Sequence, residues 1–329
     1  MNKTLQAGLG LCISFICYGP VAIQAMTFEP FYQNNQHPFV QPFNLPEAES
    51  AYLLRSGQYQ SRYQLAITNN ALQQTDGTES IVLDGEIYRL TWAGRTALSN
   101  GLEIGFAVPF IWYDKGFLDQ TIGDWHKWFG LSERPLSSTK NQLQYRYVRN
   151  SQTVILLDSA TDGIGDIRLQ VALPVVQSPQ RAWRLQGGIK LPTGDVGSLR
   201  GSGSTDVSLT VAVSDSDFVA GWPVNVTAGV VRIGDAEFLP QQVRRMIYYA
   251  SLATAYPLTP RWQLKAQLDV HTSLFDSALE SLGGNALQLN VGATWQWRQQ
   301  VQLDLGMTQN LVTDVTPDVV FFFALRQYH

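Results

Sequence analysis

From about residue 57 onward, apolar and polar residues alternate with a period of two. In GLEIGFAVPFIWY (101–113) the even positions Leu102, Ile104, Phe106, Val108, Phe110 and Trp112 are apolar, whereas the odd ones include Glu103, Gly105 and Ala107. RAWRLQGGIKL places Trp183, Leu185, Ile189 and Leu191 in one phase and Arg184, Gln186 and Lys190 in the other. RWQLKAQLDV sets Trp262, Leu264, Leu268 and Val270 against Gln263, Lys265, Gln267 and Asp269. Alternation sustained over eight or more residues predicts β-strands with one apolar and one polar face. Twelve such runs are legible, near 57–68, 81–96, 101–113, 166–176, 181–191, 204–213, 219–232, 245–256, 261–271, 285–297, 300–308 and 317–328.

The connectors alternate as well. Those at 98–100, 177–180, 214–217, 258–261 and 298–300 are tight, whereas 69–80, 114–165, 192–203, 233–244, 272–284 and 309–316 are long. Short turns at one end and long loops at the other predict an all-β, antiparallel transmembrane β-barrel, with both chain ends on the short-turn, periplasmic side. The aromatics agree. Trp183, Trp222, Tyr256, Trp262 and Trp297 fall in the apolar phase near short turns, where they would form a girdle at one membrane–water interface. On this reading Leu209→Arg or Leu289→Arg, on the lipid face, is expected to cost more than the lumen changes Thr210→Arg or Asn290→Arg.

The polar phase lists the candidate lumen lining: Arg62, Arg89, Arg95, Glu103, Asp166, Arg168, Arg184, Lys190, Asp206, Lys265, Asp269, Asp304 and Arg326. Both signs are present, so a strongly selective filter is not indicated. These side chains either line a permeation path or close a narrow barrel with an internal salt-bridge network.

Composition narrows the class. Only 15% of the 329 residues are charged and 45% are hydrophobic, against about 25% charged in soluble domains. No internal stretch approaches the ~18 apolar residues of a spanning helix. The first 25 residues, with Lys3, an apolar run from Ala7 and small Ala25, read as a secretory signal peptide. Both cysteines, Cys12 and Cys17, lie in that segment, so thiol chemistry and disulfides are not expected beyond it. No basic stripe suggests nucleic acid. The expected domains are 1–25 signal peptide, 26–50 periplasmic segment or plug, and 51–329 barrel. The expected location is the cell outer membrane, with lipid, the barrel assembly machinery and a small solute as partners.

Two pieces break the alternation. Residues 26–50 carry Pro30, Pro38, Pro42 and Pro46 and are either a plug inserted from the periplasm or a disordered leader. In GFLDQTIGDWHKWFG, Phe117, Ile122, Trp125 and Phe129 fall at helical spacing, predicting a short amphipathic helix in the longest loop. Residues 141–158 either form an extracellular hairpin or extend neighbouring strands.

Candidate chemistry is sparse. LPTGDVGSLRGSGS lies between clean strands and lacks the Gly-Lys-Ser/Thr ending of a phosphate loop. His271 and Ser273, two apart at a strand end, resemble the pair of the outer-membrane phospholipase A barrel, but their phase points inward. The chain is therefore read as a non-enzyme, with a lipid-modifying hydrolase as the remote alternative and a closed structural or adhesive barrel as the nearer one. Four scattered histidines argue against a metal site, and no cofactor is expected.

DGIGDIRLQVALPV followed by GGIKLPTGD and GSGSTDVSL, about residues 160 to 215, resembles outer-membrane transporters associated with meta-pathway phenol degradation. NNQHPFVQPFNLP (34–46), GFLDQTIGDWHKWFGL (116–131) and DGIGDI (162–167) resemble a proteobacterial envelope family, a domain of unknown function, over most of the chain. The resemblance implies a barrel and a passive channel or transporter for a small solute. One departure is the end: FFFALRQYH finishes on His329, where barrel C-termini usually finish on an aromatic such as Tyr328.

Overall fold

The structure, a computed structural model, describes residues 26–116, 142–219, 221–311, 315–317 and 319–329. The alternating runs form strands β1 (Tyr59–Asp76), β2 (Glu79–Ala97), β3 (Glu103–Asp114), β7 (Ile167–Gln177), β8 (Arg181–Leu191), β9 (Asp206–Val219), β10 (Trp222–Arg232), β11 (Met246–Thr259), β12 (Trp262–His271), β13 (Ala286–Arg298), β14 (Val301–Asn310) and β15 (Val319–Tyr328). Three short strands, β4 (Gln144–Arg149), β5 (Gln152–Leu157) and β6 (Thr161–Ile164), lie on the long-loop side, and one short helix, α1 (Glu280–Gly283), sits in the loop after β12.

Neighbours in sequence pair antiparallel throughout the wall, and β15 returns to β1, with Tyr328 opposite Gln60 and Val319 opposite Asn69. The result is a closed twelve-stranded antiparallel barrel. Strands β6 and β7 share the partner β3 and act as one interrupted wall strand. Closure pairs the wall strands on both sides, which an apolar surround demands because it offers no water to unpaired N–H and C=O groups.

Burial follows the phase. Leu209 and Phe323 are each 52% exposed, whereas Thr210, one residue along, is 3% exposed. Apolar side chains therefore face outward and polar ones inward, the reverse of a soluble domain. Trp183, Trp222, Tyr256, Trp262 and Trp297 all stand on the outer wall. The Trp222 and Tyr256 ring centroids are 5.4 Å apart, and Trp262 stacks on Trp295 at 5.7 Å.

Two boundaries differ from the pattern-based expectation. Residues 69–80 are not a loop: β1 and β2 pair without a break up to Asp76 opposite Glu79. Residues 214–217 are strand rather than turn, since β9 continues to Val219 and β10 starts at Trp222. Both stretches are polar because they project beyond the apolar band, where alternation is no longer enforced. Of the two forms open to 141–158, the described part takes the hairpin, β4–β5 (144–157), which adds to the upper edge of β2 through Glu79 opposite Arg149 and Asp84 opposite Gln144. Gly85 makes this possible: its φ of +134°, unfavourable for a side-chain-bearing residue, lies where β2 changes partner from β3 to β4. The amphipathic stretch with Phe117, Ile122, Trp125 and Phe129 lies outside the described residues, as does 1–25.

Candidate functional site

The lumen is occupied by the chain itself. Residues 29–51 are all buried, and their partners are inward-facing side chains of the wall. The segment starts at the short-turn end, where the Met26 carbonyl accepts from Gln263 at 3.2 Å. It rises along β12, with the Phe31 amide donating to Gln267 at 2.7 Å and Asn35 Nδ2 lying 2.9 Å from His271 Nε2. A single 3-10 turn at Gln41–Phe43, with a proline inside it, reverses the chain under the long loops. The return limb descends past β7, β8 and β9, where the Ala51 amide donates to Ser214 Oγ at 2.9 Å, and the Leu54 amide reaches Glu103 at 3.0 Å. Residues 55–58 are exposed and lead into β1. The segment is thus a hairpin with both limbs leading to the short-turn end.

Its tip is apolar. Phe39, Val40 and Phe43 pack with Phe238, Phe275 and Leu282 of the long loops and with Tyr147 of β4. Phe43 meets Phe238 edge-on at 6.1 Å and Phe275 at 5.8 Å. Its limbs are held by charge. Glu29 lies 2.7 Å from Arg95 and 3.8 Å from Arg62, Glu49 lies 2.9 Å from Arg184, and Glu47 pairs with Arg168. Arg168 also donates to the Asn44 and Leu45 carbonyls at 3.0 Å each and to the Tyr32 hydroxyl at 2.9 Å. Arg89 donates to Gln41 at 3.1 Å and Asn44 at 2.5 Å. Lys265 stands 4.0 Å from the Phe31 ring centre. Phe31 also packs edge-on against Phe322 at 4.8 Å. Gly306 makes room for that ring: a Cβ there would come within 2.4 Å of Phe322 Cζ.

Burial alone would raise the Glu49 carboxyl, yet Arg184, then Arg95 and Arg62, hold it down to about 2. Glu29 is lowered too, because Arg95, Arg326 and Arg62 together outweigh the burial that opposes them. Burial, with His271 second, holds the His37 imidazole down to about 3. Glu29 and Glu49 are therefore read as ionised and His37 as neutral.

Of the thirteen phase-assigned residues, twelve are buried and Asp269 is half-buried, all turned inward. The structure also pairs many of them within the wall. Asp304 joins Lys265, at 2.9 Å, and Arg326. Lys190 joins Asp166 at 2.5 Å and Asp206 at 3.1 Å. Glu103 lies between Arg95, at 3.5 Å, and Arg184, at 3.4 Å. The sequence pattern did not supply the second half of the network, Glu29, Glu47, Glu49, Gln41 and Asn44, because that segment has no periodicity. One signal was available: the phase list itself holds eight cations and five anions.

Two spaces between hairpin and wall measure about 30 and 10 Å³, one beside Asn35 and His271, the other beneath Gly94 between Tyr32 and Glu49, room for a water or two each. A recess of about 910 Å³ lies instead on the outer wall, lined by Trp92, Ile104, Phe106, Leu169, Val171 and Ile189. His271 and Ser273 form no catalytic pair. The His271 ring bonds Asn35 and the Thr272 carbonyl, whereas Ser273 Oγ donates to the Phe275 carbonyl at 2.7 Å.

A closed twelve-stranded wall, apolar outside and polar inside, with its own chain folded into the lumen, has the architecture of an outer-membrane channel. The chain belongs to DUF3187, a family described as proteins of unknown function, whose model matches residues 10–328. No curated protein matches it. Among solved structures it is similar to the COG4313 outer membrane channel of Pseudomonas putida F1, with 13% identity, a TM-score of 0.56, and coverage of 84% of this chain and 97% of that one. Weaker likenesses are the KdgM porin (8% identity, TM-score 0.42, 82% and 98% covered) and the Ralstonia pickettii toluene transporter TbuX (12%, 0.40, 83% and 90%). At these identities the likeness is one of fold.

Proposed function

We propose that this chain is an outer-membrane channel for a small solute, closed at rest by residues 26–54. The observation that carries the reading is the hairpin's attachment. Both limbs lead to the short-turn end, and no residue of the segment belongs to a wall strand. It can therefore be withdrawn toward the periplasm without breaking a strand pairing. Its limbs bind through ion pairs and amide contacts that water can replace. The resemblance of residues 160–215 to outer-membrane transporters supports the same reading, as does an apolar outer wall suited to lipid. Membrane lipid and the barrel assembly machinery are then the partners the barrel needs.

A second reading has its own support. A lumen in which residues 29–51 are all buried against the wall suits a structural barrel that acts through its loops. The two readings separate in a planar bilayer. A site-specific protease sequence is placed at the exposed residues 55–58, the folded chain is cut there, and the segment is dissociated in high salt. The channel reading expects little or no current before the cut and a steady conductance after it. Silence after removal of the segment, from a barrel that remains folded, would leave the structural reading.

A further inference from the structure

We propose that the unblocked lumen is an anion path whose natural solute carries a carboxylate; this rests on the channel reading above. Among the described residues, the inward-facing wall at the level of the hairpin carries eight cations against five anions, an excess of three. The hairpin brings three buried glutamates, Glu29, Glu47 and Glu49. The closed state is thus neutral inside, and withdrawal of the hairpin uncovers the whole excess.

Other buried acids do not cancel it. Asp84 and Glu86, although buried, stand in the opposite strand phase to the inward Ile87 and Arg89, and Glu86 accepts from the Tyr88 hydroxyl. Glu79 pairs with Arg149 of the extracellular hairpin, and Asp215 pairs with Arg181 at a short turn. Neither pair adds net charge to the path.

The excess is also one-sided. Arg62, Arg89, Arg95, Arg168 and Arg184 stand on the neighbouring strands β1, β2, β7 and β8. Arg62 and Arg168 have ion pairs only to the hairpin among the described contacts, and Arg89 bonds its amides. The facing arc, β9 to β13, presents Thr210, Asn225, Thr227, Ser251 and Asn290, and its inward charges, Asp206, Lys265 and Asp269, leave it without a cationic excess. A guanidinium column is matched to planar oxyanions that accept two parallel N–H bonds. The three glutamates show that a carboxylate fits against these arginines. In the closed state they occupy the positions a solute carboxylate would take in turn, and the hydroxyls and amides of the facing arc meet the rest of the solute.

The test uses the cut barrel described above under a potassium chloride gradient. A lumen potential of only one kT favours chloride over potassium about sevenfold, so the reversal potential is expected to move clearly toward the chloride value. Added succinate is expected to reduce the chloride current by competing for the arginines, and Arg168→Gln to weaken both effects. A conducting barrel that is unselective or prefers potassium would overturn this inference and leave the channel standing. A folded barrel that does not conduct would overturn the channel reading and this inference with it. Openings of the uncut Phe43→Ala chain, which alters no charge, give a second measurement. They must show the same chloride preference, and cation preference there overturns the inference equally.

Discussion

Glu47→Gln removes the hairpin's charge from Arg168 while keeping nearly the same shape. Both side chains of this pair are almost fully buried, at 3% and 4% exposure. Removing one partner of a buried ion pair costs about 3–5 kcal/mol, because the other charge is left in a poor solvent. Here Arg168 keeps three neutral acceptors, the Asn44 and Leu45 carbonyls and the Tyr32 hydroxyl. That places the loss near the lower end, about 3 kcal/mol, or roughly a hundredfold in the ratio of seated to withdrawn hairpin. A cysteine at Ala48, which is 4% exposed, reports that ratio. In a chain starting at residue 26 it would be the only thiol, since Cys12 and Cys17 lie upstream. When opening and closing are fast, its labelling rate tracks the open population. Glu47→Gln is expected to raise that rate by roughly two orders of magnitude, and Glu47→Gln with Arg168→Met to return most of it, since removing both charges leaves none stranded. Labelling unchanged within about twofold by Glu47→Gln would refute the assignment of this pair as the hairpin's anchor.

Other outcomes follow from the same geometry. Phe43→Ala empties a site 1% exposed and should weaken seating by about 3–5 kcal/mol, read as a higher open probability in bilayers. Leu209→Arg, on the lipid face, should cost about 2–4 kcal/mol of barrel stability, measured by denaturant titration in vesicles. Acid should release the hairpin through His37, whose pKa is about 3 when seated and about 6.5 when free. The seated state binds fewer protons, so its full stability is present above pH 6.5 and is lost at about 1.4 kcal/mol per unit as pH falls toward 3. Glu49, held at about 2 by Arg184 and its neighbours against the burial that opposes them, adds a loss of the same sign only below its free value near 4.5. Open probability should therefore climb between pH 6.5 and 4.5, and His37→Asn should remove the histidine's share of that climb; an identical profile in that variant would refute it.

The wall was legible because a strand between lipid and a polar interior must alternate, and β8 and β12 do so along most of their length. The pattern was silent where that demand ends. The largely polar runs 69–76 and 214–217 are strand, yet they lack the alternation of apolar and polar residues and so resemble loops. Register with the lumen was equally legible, which is why the inward positions of Arg168 and Arg184 could be assigned. What they touch could not, since the partner segment has irregular backbone and buries its glutamates one by one. The same blindness reverses one expectation. Thr210→Arg and Asn290→Arg, mild in a water-filled lumen, fall here in packed sites: Thr210 bonds the Tyr249 hydroxyl, and Asn290 is fully buried and donates to Asp269 at 2.6 Å. Overpacking makes both costly, so a lumen arginine scan no longer separates the two faces of the wall.

The most direct measurement of the central claim, that residues 26–54 close a conducting barrel from its short-turn side, is peptide block. The cut and emptied barrel is set in a planar bilayer in a known orientation, and a peptide of residues 26–54 is added to one chamber at a time. The account predicts that the current is abolished from the short-turn side and persists when the peptide is added on the long-loop side. A current indifferent to the peptide from either side would contradict it.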